Sequence, residues 1–232
     1  MRRTNRLIAI MLGWVPLLAV AGPDRDGPAE LILKGAREEV ERRVCYDPRY
    51  REIGYPGGDV PAGVGVCTDL VVRALRKVGI DLQKAIHEDR RAHPEAYPTH
   101  LWANPRPDPN IDHRRCSNLV VWFRRYARAL PTELDATSLR KHWRGGDIVF
   151  FIEEGEKYPW HVAVVSDRRA EDGMPLIIDN MGPYAAERFR LDRHAPVHSH
   201  FRLSEATLRW RGSCEEAGGD AHRGHRQEES SE

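Results

Sequence analysis

The sequence predicts a single α+β domain in which an antiparallel sheet packs against helices. The first half of the chain carries apolar residues at helical spacing. Short runs rich in strand-forming residues come later, at 147–152, 161–166, 175–179 and, as a possible fourth, 198–203. Residues 30–209 are assigned to this domain, a length that suffices to bury a substantial core.

Four helices are predicted from residues that favour helix starts and stops. A polar side chain before a periodic apolar run caps free backbone N–H groups, and proline fits the first turn. The predicted helices are one opened by Asp26-Gly27-Pro28 and running to about Val44, one beginning at Thr68, one capped by Asp81, and one beginning at Ser117 and ending before Pro131.

The amino terminus has the composition of a secretory signal peptide. Three arginines without any acid precede an apolar run of 14 residues, Leu7–Val20, which is too short to span a bilayer comfortably. Residues 1–21 are therefore predicted to be cleaved after Ala21, which makes the mature protein periplasmic or secreted. Residues 22–29 are interpreted as a linker and residues 210–232, which are polar and aperiodic, as a disordered tail.

The charge balance argues against a nucleic-acid partner. Removal of the signal peptide takes away three arginines and no acid, so that 33 basic side chains face 35 acidic ones in the mature chain. A protein that binds the phosphate backbone usually carries an excess of basic residues. No other segment is apolar for long enough to cross a membrane, so no membrane-spanning segment is expected in the mature chain.

Cys67 is the first candidate for a functional residue. It lies where the glycine-rich stretch YPGGDVPAGVGV meets the amphipathic segment CTDLVVRALRKVG. Unpaired N–H groups and the positive end of the helix dipole favour a thiolate at this place. The alternatives are a small buried apolar side chain or half of a disulfide.

A histidine and two polar residues on later strands could complete an acid–base site. His161 begins a strand otherwise filled by Val and Ala, and Asp179 and Asn180 end the next strand. An imidazole can take the proton of a thiol, and a third polar group can orient the imidazole. Because side chains alternate along a strand, only Asp179 or Asn180 should point at His161. Purely structural roles for these residues stay open.

The motifs in this order resemble a known group of enzymes. They are Tyr55, Gly57, Gly58, Cys67, Leu70, Val71, Gly146, Asp147 and His161. This order resembles the NlpC-type cell-wall peptidases of the papain-like superfamily. Over residues 30–205 the strings YDPRY, YPGGDVP, GVCTDLV, GIDLQ, HED, RPDPNIDHRR and GDIV are similar to the bacterial family called domain of unknown function 1287 (DUF1287).

The resemblance implies a papain-like fold and assigns roles to individual residues. It makes Cys67 the nucleophile, His161 the general base and Asp179 the third residue, with Asn180 as the alternative. It places Tyr55 near the site that stabilises the oxyanion, although packing within the loop is an equal alternative. The chain departs from the relatives' pattern before the cysteine, where they carry Asp and this chain carries a valine.

The segment NPRPDPNIDHRR is a candidate for substrate binding. Three prolines restrict a stretch that contains Asp112, His113, Arg114 and Arg115, and guanidinium groups bind carboxylates in bidentate fashion. Stem peptides of peptidoglycan are rich in carboxylates. The alternatives are a loop held by internal salt bridges and a zinc site, but no HExxH or CxxC motif is present, so no metal is predicted.

The chain has four cysteines, too few for a fold built on disulfides. If Cys67 is a catalytic thiol, then Cys45, Cys116 and Cys214 remain and one of them is unpaired. A bridge between Cys45 and Cys116 is one possibility that the sequence leaves open.

These observations lead to one expected function and two alternatives. We expect a periplasmic or secreted cysteine hydrolase that cleaves an amide bond in peptidoglycan peptides through an acyl-enzyme on Cys67 and without a cofactor. One alternative is a catalytically silent domain that holds anionic cell-wall fragments through His113, Arg114 and Arg115. The other is a hydrolase or acyltransferase that uses the same cysteine on a protein or a lipid.

Overall fold

The computed structural model describes residues 27–194 and 196–210. The predicted signal peptide, most of the linker, the tail beyond residue 210 and Cys214 lie outside these described residues. The first helix starts at Pro28, within the predicted opening Asp26-Gly27-Pro28.

Six α-helices lie within the described residues. Their bounds are α1 Pro28–Glu41, α2 Cys67–Arg76, α3 Leu82–Ala92, α4 Cys116–Tyr126, α5 Ala136–Lys141 and α6 Glu205–Trp210. The second and fourth helices each begin one residue before the predicted start, with a cysteine as the first helical residue. Within the described part of the chain, no helix has both the length and the apolar character that a membrane crossing requires.

The strands form one large sheet and one small one. β1 Cys45–Tyr46 and β2 Val64–Gly65 pair in parallel, and the other strands form an antiparallel six-stranded sheet in the order β3-β8-β4-β5-β6-β7. The bounds in that sheet are β3 Arg128–Leu130, β4 Ile148–Phe151, β5 His161–Arg169, β6 Pro175–Asp179, β7 Ala186–Arg190 and β8 Val197–Arg202. The prediction of an α+β fold with an antiparallel sheet is confirmed, and β3 and β7 are strands that the sequence did not reveal.

One face of the sheet packs against the helices. Phe150, Val162 and Val164 alternate with their neighbours along β4 and β5 and are fully buried against residues of α1, α2 and α4. Burial of each such side chain stabilises the fold by roughly 1.5–3 kcal/mol. The apolar stripe of α2 therefore fixes this helix, and Cys67 at its start, against the sheet.

The opposite face of the same strands is also buried. Val149, Phe151, Ala163 and Val165 contribute to a smaller cluster that includes Trp143 and is covered by α5 and by a short 3-10 helix at residues 191–194. Because both faces of β4 and β5 are covered, these strands form the rigid centre of the domain. The start of β5, where His161 lies, is held by this centre.

A glycine allows the first two helices to approach each other closely. A Cβ atom at Gly35 of α1 would lie 2.8 Å from the backbone Cα of Ala74 in α2, a distance that real side chains do not tolerate. Any larger residue at this position would push α1 away from α2. Gly35 therefore helps to set the position of the helix that begins with Cys67.

Candidate active site

Cys67 is the first residue of α2, and the backbone N–H of the residue before it is satisfied locally. Its side chain is buried, and the residue before it, Val66, is the N-cap. The carboxylate of Asp69 accepts a hydrogen bond from the backbone N–H of Val66 at 2.8 Å. The valine that departs from the relatives' pattern has no polar side chain for capping, and Asp69 satisfies its backbone N–H instead.

The loop before Cys67 is tied to the end of β6. The side-chain amide of Asn180 donates to the carbonyls of Val44 and Gly65, both at 3.2 Å. The carbonyl of Gly65 also accepts the backbone N–H of Asp47 at 3.0 Å. Asn180 therefore has a structural role here, because it joins three separate segments beneath the start of α2.

His161 and Asp179 form a buried hydrogen-bonded pair. The Nε2 atom of His161 lies 2.8 Å from Oδ2 of Asp179, and both side chains are almost completely buried. Asp179, and not Asn180, is thus the residue that contacts His161. With Nε2 engaged by the carboxylate, Nδ1 is the ring nitrogen left for the sulfur of Cys67, with which the imidazole interacts.

The surroundings of Cys67 favour its thiolate. A hydrogen bond with the thiol of Cys116 makes the largest contribution, burial opposes it, and the hydrogen bond and charge of His161 add to it, so that the pKa of Cys67 lies well below its ordinary value. The pKa of Cys116 is raised well above its ordinary value, because it shares that hydrogen bond and is itself buried. When Cys67 is a thiolate, Cys116 is the donor and Cys67 the acceptor between the two sulfurs.

The imidazole of His161 is stabilised in its charged form. Burial alone would lower the pKa of His161, but the hydrogen bond with Asp179 and the neighbouring Cys67 outweigh it and raise the pKa to about 9. Burial would likewise raise the pKa of Asp179, but its interactions with His161 and His194 keep it below the usual range. Thiolate, imidazolium and carboxylate are thus arranged with alternating charges, the arrangement of an activated cysteine nucleophile.

Tyr55, the tyrosine predicted to lie near the oxyanion site, is placed elsewhere. Its ring packs edge-on against His87, and its hydroxyl lies 3.5 Å from a carboxylate oxygen of Glu88. Tyr46 lies beside the sulfurs instead: it lines the same pocket as Cys67, and burial followed by the nearby cysteine charges raises its pKa. The structure therefore brings Tyr46, and not Tyr55, to the pocket over Cys67, because spacing along the chain cannot show which of two loops folds over α2.

Two residues of the predicted substrate-binding loop serve the interior of the protein. Asp112 is buried and forms an ion pair with the fully buried Arg90, and it also accepts the backbone N–H of Asp108 at 2.7 Å. His113 is buried, and burial together with the positive charge of Arg114 lowers its pKa to about 3. A neutral, enclosed histidine cannot attract an anion, so neither Asp112 nor His113 is placed to bind a substrate.

Arg114 is occupied by internal partners. Its guanidinium group binds the carboxylate of Asp69 through Nε at 2.9 Å and also donates to the backbone carbonyls of Arg49 and Asp47. This ion pair is almost completely buried. Arg114 therefore connects the proline-rich loop to the start of α2, which is the internally bridged alternative considered for this loop.

Arg115 is the residue of this loop with the best access to a ligand. Its guanidinium carbon lies 3.8 Å from the centre of the Trp102 ring, and its side chain keeps 20% of its surface exposed. A carboxylate oxygen of Asp112 lies 3.2 Å from a terminal nitrogen of the same guanidinium group and forms an ion pair with it. Arg115 is thus fixed in place with donors that can still reach an anionic group.

A pocket of about 310 Å³ opens over Cys67. Trp160 forms part of its rim, stacks on His161 with 5.1 Å between ring centres, and is 40% exposed. The residues that line the pocket are Tyr46, Pro48, Val66, Cys67, Trp102, Ile111, Arg114, Arg115, Cys116, Ser117, Pro159 and Trp160. Aromatic rings and one accessible arginine beside a thiolate suit a polar substrate that also presents carbon surface.

Cys116 does not pair with Cys45. The described cysteines, Cys45, Cys67 and Cys116, are all free thiols, and Cys45 is exposed in β1. The sulfur of Cys116 instead lies 4.0 Å from that of Cys67. The Cys45–Cys116 bridge that the sequence left open is therefore not formed, and the contact of Cys116 with Cys67 is a tertiary contact between α4 and α2.

A second histidine stands behind the acid–base pair. His194 is buried, and its Nε2 lies 3.6 Å from the same Asp179 oxygen that contacts His161. Donor atoms of His161, Asp179 and His194 lie within 4.8 Å of one another, which makes these residues the candidate for holding a metal ion in the described part of the chain. The hydrogen bond of His161 with Asp179, together with its interaction with Cys67, suits proton transfer without a metal ion.

Several residues of this site were missed in the sequence. Tyr46, Trp102, Trp160 and His194 carry no local signal, because each lies in a loop or a short element whose position depends on tertiary contacts. Cys116 did carry a local signal, because the start of its helix, CSNLVV, is nearly the same as the start of the Cys67 helix, CTDLVV.

Comparison with known proteins finds similarity to a protein family and to a bacterial relative. A family model described as "Domain of unknown function (DUF1287)" matches residues 33–203. An Escherichia coli (strain K12) protein described as "Uncharacterized protein YijF" is 45% identical over 157 residues, which cover 67% of this chain and 73% of that protein. No solved structure matches this chain.

Proposed function

We propose that this chain, which belongs to the DUF1287 family, is a cysteine hydrolase that cleaves an amide bond through an acyl-enzyme on Cys67. The observation that carries the proposal is the buried pair of His161 and Asp179 beside Cys67, whose side chain lines an open pocket. A thiolate held beside a hydrogen-bonded imidazolium is the form in which cysteine attacks carbonyl carbon.

In the first half of the reaction the thiolate of Cys67 attacks the amide carbonyl. The imidazolium of His161 then gives its proton to the leaving amine, and a thioester forms on the sulfur. Asp179 holds the ring in the orientation that aims Nδ1 at the reacting atoms and stabilises its positive charge. Burial of the pair strengthens these interactions, because little water screens them.

In the second half water releases the acyl group. His161, now neutral, accepts a proton from a water molecule, and the resulting hydroxide attacks the thioester carbonyl. Cys67 departs as a thiolate, and the starting ion pair is restored. No cofactor takes part in these steps.

Backbone and tyrosine donors can stabilise the oxyanion that forms in both steps. The N–H of Cys67 lies in the first turn of α2, where backbone N–H groups have no intrahelical acceptor. The pKa of Tyr46 is raised, so its hydroxyl keeps its proton and can donate in the pocket. Tyr46 takes the role that the resemblance had assigned to Tyr55.

Peptidoglycan peptides are the proposed substrate, and the periplasm or cell exterior is the proposed location. The resemblance to NlpC-type cell-wall peptidases and the signal-peptide pattern of residues 1–21 support both. The pocket adds Arg115, whose guanidinium group suits the carboxylates of stem peptides. A protein or lipid acyl substrate would use the same nucleophile.

The silent binding domain is less well supported than catalysis. It depended on His113, Arg114 and Arg115, but His113 is enclosed and neutral and Arg114 binds Asp69. A binding domain would also have no need for a low-pKa thiol against a charged imidazole. The structure of the site therefore favours a reaction over simple retention of an anion.

Incubation of purified peptidoglycan with the protein tests this proposal. Fragments released under reducing conditions are identified by mass spectrometry, and Cys67→Ala is run beside the unchanged protein. Fragments that depend on Cys67 would identify the bond from their masses. If both proteins release the same material, or if neither releases any, peptidoglycan hydrolysis through Cys67 is wrong.

A further inference from the structure

Cys116 is a buried thiol that the proposed reaction leaves unused. Its sulfur lies 4.0 Å from that of Cys67, and both cysteines line the same pocket. We propose that Cys116 is a resolving cysteine, which closes a Cys67–Cys116 disulfide after an oxidant such as hydrogen peroxide has attacked Cys67. The regulatory meaning of this disulfide, a reversible block of the nucleophile, rests on the proposed function of Cys67.

The geometry requires only a small movement to form the bond. A disulfide joins sulfurs about 2.0 Å apart, so the two sulfurs must approach each other by roughly 2 Å. Each cysteine is the first residue of its helix, and the backbone N–H of such a residue is not held by an intrahelical hydrogen bond. The ends of α2 and α4 are therefore the parts of these helices that yield most easily.

The two thiols have the unequal character that such a pair needs. Cys67 has the lowered pKa and reacts first as a thiolate, whereas Cys116, with its raised pKa, remains a protonated thiol. The pocket gives a small oxidant access to both sulfurs. Cys45 is exposed on β1, where its sulfur contacts the carbonyl of Arg43.

The chemistry balances with peroxide as the oxidant. The Cys67 thiolate attacks one peroxide oxygen, the O–O bond breaks, and the departing hydroxide takes the proton of the His161 imidazolium to become water, which leaves a sulfenic acid on Cys67. The sulfur of Cys116 then attacks the Cys67 sulfur, and the displaced hydroxide takes the Cys116 proton as a second water. Two thiols are oxidised to one disulfide, and one peroxide is reduced to two waters.

Oxidation of purified protein, followed by mass spectrometry, tests this pairing. The other two cysteines are replaced by Cys45→Ser and Cys214→Ser, so that only one intramolecular disulfide is available. After peroxide treatment we expect the intact mass to fall by two hydrogens and a proteolytic digest to contain one peptide that joins Cys67 to Cys116. Dithiothreitol should then restore labelling of Cys67 by iodoacetamide.

The matched control is Cys116→Ser in the same background. Without a resolving thiol we expect Cys67 to gain two or three oxygen atoms and to lose its labelling permanently. Cys116→Ala serves the same purpose if the serine variant does not fold. The proposal is overturned if the protein with both cysteines shows no cross-linked peptide, or if it gains oxygen as quickly as the Cys116 variants.

Hydrolysis is measured separately, so that the two proposals can fail independently. Peptidoglycan release that stops in the cross-linked protein and returns with dithiothreitol supports the switch. Release that continues in fully cross-linked protein contradicts it. A disulfide that forms in a protein without any hydrolytic activity would support the resolving role of Cys116 and overturn the proposed hydrolase.

Discussion

The starts of α2 and α4 are nearly the same in sequence and opposite in chemistry. α2 begins CTDLVV and α4 begins CSNLVV, and in each case the cysteine is the first helical residue with 8% of its surface exposed. The pKa of Cys67 is nevertheless lowered, first by the thiol of Cys116, whereas that of Cys116 is raised, first by the hydrogen bond it shares with Cys67. A cysteine at a helix start is therefore not enough to identify a nucleophile.

Magnitudes show what separates the two thiols. The end of a helix stabilises a negative charge by about 0.3–1 kcal/mol, which is less than one pKa unit, and both cysteines have this contribution. Only Cys67 also has His161 beside it, and His161 is held by Asp179. His161, at the start of β5, thus favours the thiolate on Cys67 over one on Cys116.

The third residue of each helix shows the same contrast. In α2 it is Asp69, which accepts the N–H of Val66 and binds the guanidinium of Arg114. In α4 it is Asn118, whose side-chain amide donates to the carbonyl of Asp112 at 3.1 Å. A charged side chain thus anchors the helix that begins with Cys67, and a neutral one anchors the helix that begins with Cys116.

The strongest contrast between the two helices is expected in their cysteine variants. Cys67→Ala should lower the rate of peptidoglycan cleavage roughly 10⁴-fold or more, because it removes the nucleophile. Cys116→Ser should lower it by less than about tenfold, because a hydroxyl still donates to the thiolate. Rates of fragment release under reducing conditions measure both effects, and equal losses would contradict the assignment of roles.

Loss of the Asp179 carboxylate is expected to lower the cleavage rate nearly as much as loss of the Cys67 thiol. Asp179→Asn should lower the cleavage rate roughly 10²- to 10⁴-fold, because a neutral partner no longer stabilises the His161 imidazolium or fixes its orientation. The labelling of Cys67 by iodoacetamide at pH 6 should slow as well. Asp192→Asn, a change in an exposed ion pair with Arg190, is the control. Similar rates in the two variants would remove His161 and Asp179 from the mechanism.

The anchor of α2 can be tested through stability. Asp69→Asn leaves the buried guanidinium of Arg114 without a carboxylate, which should lower the free energy of unfolding by about 3–5 kcal/mol. Urea unfolding followed by circular dichroism measures the loss. Asp192→Asn again serves as the control, since exposed ion pairs contribute little. If both variants unfold at the same urea concentration, the buried pair does not hold the helix in place.

The smallest effect is expected in the dependence on pH. The protonated His161 donates to the leaving amine, and its pKa is raised to about 9, so cleavage should fall about tenfold per pH unit above that value. Alkylation of Cys67 requires only the thiolate and should not fall in that range. In Asp179→Asn the alkaline decline of any residual cleavage should move to lower pH, because the carboxylate that raises the His161 pKa is lost. A decline that stays at the same pH would assign it to another group.

Local signals in the sequence were sufficient for the fold class and for Cys67 and His161 as candidates, and they left two candidates for the third residue. The apolar period of α2 identified the helix that begins with Cys67, and alternation along β5 and β6 placed His161 and restricted its partner to Asp179 or Asn180. Each of these conclusions depends on residues a few positions apart, where backbone geometry fixes which side chains share a face.

The tertiary structure alone decided what surrounds those residues. It selected Asp179, because Asn180 is held by carbonyls of two distant segments, and it placed Tyr46 in the pocket and Tyr55 outside it. It also brought Cys116 from α4 against Cys67. Such contacts join segments that lie 20 or more positions apart in the sequence. Their formation depends on how whole helices pack on the sheet, so the amino-acid order near each residue does not reveal which partner it meets.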